Sequence, residues 1–340
     1  MKKLILLLSS LALMSCVEKN TSDVASFEAM DTFMTVKSYG RNAKKADSEV
    51  ERRIREIEGK ISTTDESSDV YKINNSGENV VEVSDETAFL AEFSLNAAGE
   101  TGGALNPCLY PVTKAWGFTT GEYRVPEDSE IEKLLESTDF RKISVIRKPK
   151  AEIKKEIGMM LDFGSVGKGF ACDEAVKILK KRGVESSLVD FGGNVYVLGG
   201  KIGQDGEKKD WAVGIQNPSG GEPVAKLLLQ DKAVVTSGGY ERFFTDKDGK
   251  RRIHIFDPQT GKPVENTLES VTVVSDSALY ADALSTSLFV MGFEKAIDFW
   301  RGKRDFEMVL VTEDFGIYYT EGLKGKFSAT TKPKSLGIIR

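Results

Sequence analysis

One stretch constrains the fold more than any other: residues 159–200, MMLDFGSVGKGFACDEAVKILKKRGVESSLVDFGGNVYVLGG. It reads as a strand, a glycine-rich loop, a helix, a second strand and a further glycine pair. The helix is expected over Gly167–Arg182, with Gly183 stopping it. Such a loop exposes backbone N–H groups at a helix N-terminus, where the dipole favours an anion, and Lys168 adds a positive point charge there. Two familiar phosphate loops bear comparison. The P-loop requires GxxxxGK followed by Ser or Thr; here Gly164 and Gly167 stand too close together and Gly169 follows the lysine. The dinucleotide fingerprint GxGxxG fits at Gly167 and Gly169 but meets Cys172 in place of its third glycine, with Asp190 about where a ribose-binding acid would stand. On this segment alone, a dinucleotide site and a plain strand–helix–strand turn both stay open.

The remaining chain sets the class. Residues 27–39 read as a strand and 43–60 as a helix, with Val50, Ile54, Ile57 and Ile61 on one face. A second helix is expected from about Asp85 to Ala98, and strands near 143–147 and 156–163. After the glycine loop come strands near 187–191, 194–200, 210–216, 233–237 and 240–245, then TDKDGKRR as a hairpin turn. Helices near Ser277–Met291 and 294–301 precede two closing strands. Hairpins outnumber parallel crossovers. The expected fold is therefore mixed α/β of the α+β kind, with antiparallel-rich sheets and packed helices, not a doubly wound sheet.

The N-terminus, MKKLILLLSSLALMSC, places two lysines before an apolar run from Leu4 to Met14, the pattern of a secretory signal. Leu13 and Ser15 stand before Cys16 as in a bacterial lipobox. The expectation is a signal peptide over residues 1–15, an acylated Cys16 and a polar tether over 16–26, leaving 27–340 as one domain or two intimate subdomains. Acyl chains would hold the protein at a membrane surface. Removing residues 1–15 takes away Lys2 and Lys3 and no acid, so the net charge goes from −5 to −7. That acidic balance, without a basic patch, points to no nucleic-acid partner. Cys108 and Cys172, the cysteines left after Cys16, form neither a disulfide framework nor a zinc-type spacing. Stability must come from a core, which a hydrophobic content of 40% can build.

Two further segments carry chemistry. In SDSALYADALSTSLFVMG, residues 275–292, Asp282 and Thr286 stand at i and i+4 of an expected helix with Ser285 alongside. Their oxygens are hard donors of the kind that suit Mg²⁺. An acid in a helix this apolar lies either on a narrow solvent face or against a partner inside. In RRIHIFDPQTG, residues 251–261, His254 is the only histidine among 340 residues and ends a strand before an Asp-Pro turn. Histidine suits proton transfer near neutral pH, and a single histidine at a strand end also serves as plain structure.

The segments LDFGSVGKGFACDEA, VDFGGNVYVLGG, VVTSGGYERFF, HIFDPQTG and YADALSTSLFVMG together resemble, in order and spacing, the ApbE family of FAD:protein FMN transferases. FEAMDTFMTVKSYG, ISTTDESSDVYKINNSG and TGGALNPCLYPVTKAWGF extend the resemblance over roughly residues 27–320. It implies an ApbE-like fold and a bacterial, lipid-anchored protein on the periplasmic face. It also implies Mg²⁺-dependent transfer of FMN from FAD to a Ser or Thr of an acceptor protein, with release of AMP. By the same resemblance, Asp282, Thr286 and the carbonyls of Ser285 and Ser165 would hold Mg²⁺, and Asp162 and Lys168 would contact FAD. Met30, Ala104, Leu105, Asn106 and Phe256 would line the flavin and adenosine pockets. His254 matches the histidine of an H-x-x-D-P-x-T-G motif and is the candidate for activating the acceptor hydroxyl. Thr64 stands where many members carry a tyrosine beside the flavin, and Asn106 replaces a common aspartate. Acceptors would be subunits of Rnf- or Nqr-type redox complexes. The alternatives are an FAD pyrophosphatase giving FMN and AMP, and a lipid-anchored flavin-binding protein without turnover.

Overall fold

The computed structural model describes residues 22–203 and 205–340; the expected signal segment and Cys16 lie outside them. Nine strands form the main sheet: β1 (Ser22–Ala29), β2 (Thr32–Tyr39), β3 (Ser186–Phe191), β4 (Asn194–Leu198), β5 (Lys232–Gly238), β6 (Leu268–Ser275), β7 (Glu307–Thr312), β8 (Gly316–Thr320) and β9 (Ser335–Ile339). Their order in space follows their order in the chain. Each neighbouring pair is antiparallel except β8 and β9, which run parallel. The helices are α1 (Ala43–Ile61), α2 (Asp69–Asn75), α3 (Asp85–Glu100), α4 (Tyr110–Ala115), α5 (Asp128–Leu135), α6 (Gly167–Lys181), α7 (Ala278–Met291) and α8 (Phe293–Lys303). This is the antiparallel-rich α+β architecture expected.

The strands alternate between two cores. Met34, Val36, Val189, Val235, Val271 and Val273 face α1, α6 and α7, where Val50, Ile54, Leu179 and Leu284 pack against them. On the other face, Val197, Val234, Val274, Val309 and Ile317 meet Trp211, Ile215 and Leu227 of a three-stranded sheet formed by Trp211–Ile215, Ala225–Leu229 and Phe327–Ala329. Each fully buried Val, Ile or Leu contributes about 1.5–3 kcal/mol of transfer free energy, so this two-sided burial carries the fold. A third cluster unites Val112, Trp116, Phe118, Ile131 and Phe256.

Several expectations are corrected. Residues 27–39 are not one strand: the chain reverses at Met30 and Asp31, both left-handed, and β1 pairs with β2 in full register. β1 starts at Ser22, so the sheet takes in residues 22–26, which were expected in the tether. No strand forms over 156–163. The strand lies earlier, at Glu152–Lys154, while Gly158 turns at φ 89° and the Leu161 backbone is held by the Asn74 side chain. The strand expected over 240–245 shrinks to Phe243–Thr245. The dinucleotide reading falls with the missing strand before the glycine loop, and with β3, which pairs antiparallel to β2 and β4.

Candidate active site

The expected acid on α7 lies inside. Ten of the fourteen residues of α7 are buried, Asp282 among them at 4% exposure. It has a partner there: the N–H of Gly169, in the first turn of α6, donates to Asp282 Oδ2 at 2.8 Å. Close approach of the helices permits this, since a Cβ on Gly169 would stand 2.4 Å from the Ala278 carbonyl oxygen. Asp173, one turn along α6, accepts from Ser277 Oγ (2.7 Å), Ala278 N (2.8 Å) and Leu279 N (3.1 Å). It thereby caps α7 and fixes its angle on the glycine loop. Burial pushes the Asp282 carboxyl up, while Lys168 and the Gly169 amide oppose that shift.

Hydroxyls gather beside this acid. Ser237 Oγ, at the end of β5, lies 2.8 Å from Ser285 Oγ and 3.2 Å from Thr286 Oγ1, and Ser285 Oγ donates to the Asp282 carbonyl at 3.0 Å. Lys168 Nζ donates to the Gly192 carbonyl at 3.0 Å. Gly192 and Gly193, with φ of 61° and 88°, form the tip of the β3–β4 hairpin, a two-residue turn that glycine makes without strain. The glycine loop, the α7 acid and this tip therefore converge. Ser165 lies half-buried in the turn ahead of α6.

His254 follows the strand Arg251–Ile253. Its N–H donates to the Arg242 carbonyl at 3.1 Å, and its Nδ1 lies 3.1 Å from the same oxygen. A carbonyl only accepts, so Nδ1 carries the proton and Nε2 is the basic nitrogen. Burial, with the charges of Arg242 and Lys168, pushes the imidazole pKa down to about 4. The ring is neutral at pH 7. Phe118 packs at 6.4 Å from it, and behind lie Phe256, Trp116 and Phe244.

The other expected residues divide. Asp162 Oδ1 accepts the Gly164 N–H at 2.8 Å, while the Asp162 amide donates to the Pro107 carbonyl at 2.8 Å. This joins the glycine loop to the 104–107 segment. Burial raises the Asp162 pKa, opposed by the Gly164 amide and Arg242. Ala104 is half-buried, but the Leu105 side chain is core, at 1% exposure, so only its backbone can face a ligand. Asn106 is occupied by the fold: its Nδ2 donates to the Thr138 carbonyl at 2.9 Å and its Oδ1 accepts from Cys108 N at 2.9 Å. Phe256 is likewise buried in the aromatic cluster. Thr64 is exposed, its hydroxyl 3.2 Å from Ser62 Oγ. Met30 sits half-buried at the β1–β2 tip.

Glu241, Ser237, Asn194 and Asp173 were missed. Glu241 is exposed as a residue, but its Oε1 would stand 3.8 Å from a Cβ on Gly193, so the carboxyl faces the same site. Desolvation there raises its pKa to about 7, with Lys168 opposing and Asp282 adding to the shift. Asn194 is buried, and its Nδ2 makes no regular hydrogen bond within the protein, although it lies at the Asp282 carboxylate. An acid just after the glycine pair in SGGYERFF was the available signal for Glu241. The other three depend on pairings that only the fold creates.

The residues fit Mg²⁺. A buried carboxylate beside hydroxyl and carbonyl oxygens is a hard donor set, and a cation there offsets the cost of burying the charge. No cluster of three or more His, Cys, Asp or Glu suited to a metal occurs among the described residues. A metal at Asp282 would therefore take its remaining ligands from neutral oxygens, water and phosphate.

A family model described as the ApbE family matches residues 30–310. The chain is similar to the FAD:protein FMN transferase of Klebsiella pneumoniae, with 31% identity over 81% of this chain and 84% of that protein. It is also similar to the FAD:protein FMN transferase of Treponema pallidum, 37% identical over 61% of this chain and 60% of that protein. The crystal structure of an ApbE protein from Thermotoga maritima superposes with a TM-score of 0.83 at 32% identity, covering 90% of this chain and 99% of that one.

Proposed function

The chain belongs to the ApbE family, and from that premise we propose that it transfers FMN from FAD to a Ser or Thr hydroxyl of an acceptor protein, releasing AMP, in a Mg²⁺-dependent reaction. The observation that carries this reading is the convergence of an anion-binding loop on a buried acid, with a neutral histidine held in one tautomer. Asp282, Thr286 and the carbonyls of Ser285 and Ser165 would hold Mg²⁺. When bound, it would neutralise charge on the pyrophosphate oxygens. Lys168 would orient the same pyrophosphate, and the positive end of the α6 dipole would favour its charge, while the Gly167 and Gly169 amides stay on Phe163 and Asp282. His254 Nε2 would take the proton from the attacking hydroxyl, a role in which a positioned base contributes ~10²–10⁴-fold.

FAD pyrophosphatase activity is the second reading, and the exposed Thr64 favours it, because no large side chain stands at that position to shield the flavin from water. Incubation with FAD and Mg²⁺, with and without an acceptor, separates the cases. Flavinylated acceptor plus AMP supports transfer, free FMN plus AMP supports hydrolysis, and intact FAD refutes both.

The proposed setting is a periplasm-facing lipoprotein acylated at Cys16, with acceptors in Rnf- or Nqr-type complexes. β1 begins six positions after that cysteine. Labelled fatty acid should enter the wild type and not Cys16→Ser; labelling that survives the substitution refutes the anchor.

A further inference from the structure

The turn between β1 and β2 is built against its own sequence. Met30 and Asp31 have φ of 50° and 56°, a two-residue turn that ordinarily calls for Asn-Gly or Asp-Gly. A long side chain in this region is strained, and such strain persists only where the surroundings hold it. Glu58, on α1, does the holding: its Oε1 accepts the Met30 N–H at 2.6 Å. Arg55, on the same helix, reaches the Glu28 carbonyl at 3.3 Å.

The turn leads directly to the site. Thr32 packs so closely on Gly192 that a Cβ there would lie 2.1 Å from Thr32 Oγ1. The Gly192 carbonyl in turn holds Lys168 Nζ at 3.0 Å. Beyond Glu58, α1 ends at Ile61, whose Cδ1 would stand 2.9 Å from a Cβ on Gly167 of the glycine loop. One helix therefore buttresses both the loop and the turn.

We propose that Glu58 is a positioning residue of the anion site: it clamps the strained Met30–Asp31 turn, and through Thr32 and Gly192 it sets where Lys168 stands. This rests on the FAD reading of that site. Asp31 is exposed, so a glycine there relieves strain without removing a contact at the site.

The test is FAD affinity by flavin fluorescence, together with hydrogen exchange at the Met30 amide. Glu58→Ala should weaken FAD binding about tenfold and speed exchange at Met30, as expected for losing a hydrogen bond to a charged acceptor. Glu58→Gln keeps an acceptor oxygen and should stay near wild type. Asp31→Gly should raise Tm, and Glu58→Ala/Asp31→Gly should recover most of the lost affinity, since glycine holds the turn unaided. A Glu58 that served only general stability would show no such recovery. Wild-type affinity and exchange in Glu58→Ala, or failure of both Glu58→Gln and the double variant to restore binding, overturns this inference alone. A wild type that binds no FAD overturns the reading of the site and this inference with it.

Discussion

The amide of Gly169 donates to Oδ2 of Asp282 at 2.8 Å, joining the first turn of α6 to the middle of α7. The contact exists because residue 169 has no side chain: a Cβ would stand 2.4 Å from the Ala278 carbonyl oxygen and 2.7 Å from Asp282 Cβ.

Gly169→Ala should therefore force α6 and α7 apart. Overpacking of this kind costs about 1–3 kcal/mol, and the acid and the glycine loop would lose register together. Thermal denaturation should show a lower Tm, and FMN transfer should fall by more than the loss of folded protein explains. A variant with wild-type Tm and activity would show that the helices have slack there.

The pH profile follows from His254. Its pKa is depressed to about 4, so the neutral imidazole persists down to about pH 5 and is lost toward pH 4. Transfer limited by this base should hold through mildly acidic pH and fall with a midpoint near 4. The stability contribution has the matching sign: present above the ordinary value of 6.5, it is lost as pH falls through the window to about 4. A midpoint near 6.5 in wild type would contradict the depressed pKa, and wild-type transfer by His254→Ala would remove the histidine from the mechanism.

Much of this was legible in sequence because helical periodicity is local. α1, α6 and α7 fall within a residue or two of where their apolar spacing and Gly183 place them. The Met30–Asp31 reversal was not, because the turn lacks the Asn or Gly that signals it and is held by Glu58 from a distant helix. β6, LESVTVVS, escaped because it is buried on both faces and shows no alternation. At the site, Asp282, Lys168 and His254 could be singled out by residue type and motif. The bonds that tie the Asn106 side chain to Thr138 and Cys108 were not legible, because they depend on how the fold brings residue 138 to it.

Away from the site, Asp47 is fully buried, accepting from Ser38 Oγ while its Oδ2 has no partner. Burial raises its pKa to about 7, the Ser38 hydroxyl opposing and Asp23 adding to the shift. The folded state thus holds a proton that the unfolded chain releases near 3.8, so stability falls as pH rises from about 4 to 7. Asp47→Asn keeps an acceptor for Ser38 and removes the titration. Its Tm advantage over wild type should grow between pH 5 and pH 8; a constant difference would place Asp47 outside this linkage.

The most direct measurement is the intact mass of a Ser- or Thr-bearing acceptor after incubation with FAD and Mg²⁺, using wild type and Asp282→Ala side by side. Asp282 carries the full negative charge on the α7 face it shares with Ser285 and Thr286, so a bound cation depends on it most. Alanine is the better helix former, and α7 should persist, as circular dichroism would check. The expected result is an FMN adduct and AMP with wild type, and neither product with a folded Asp282→Ala. An adduct formed at the wild-type rate by Asp282→Ala, undiminished by a chelator, would contradict the metal-dependent transfer proposed for this site.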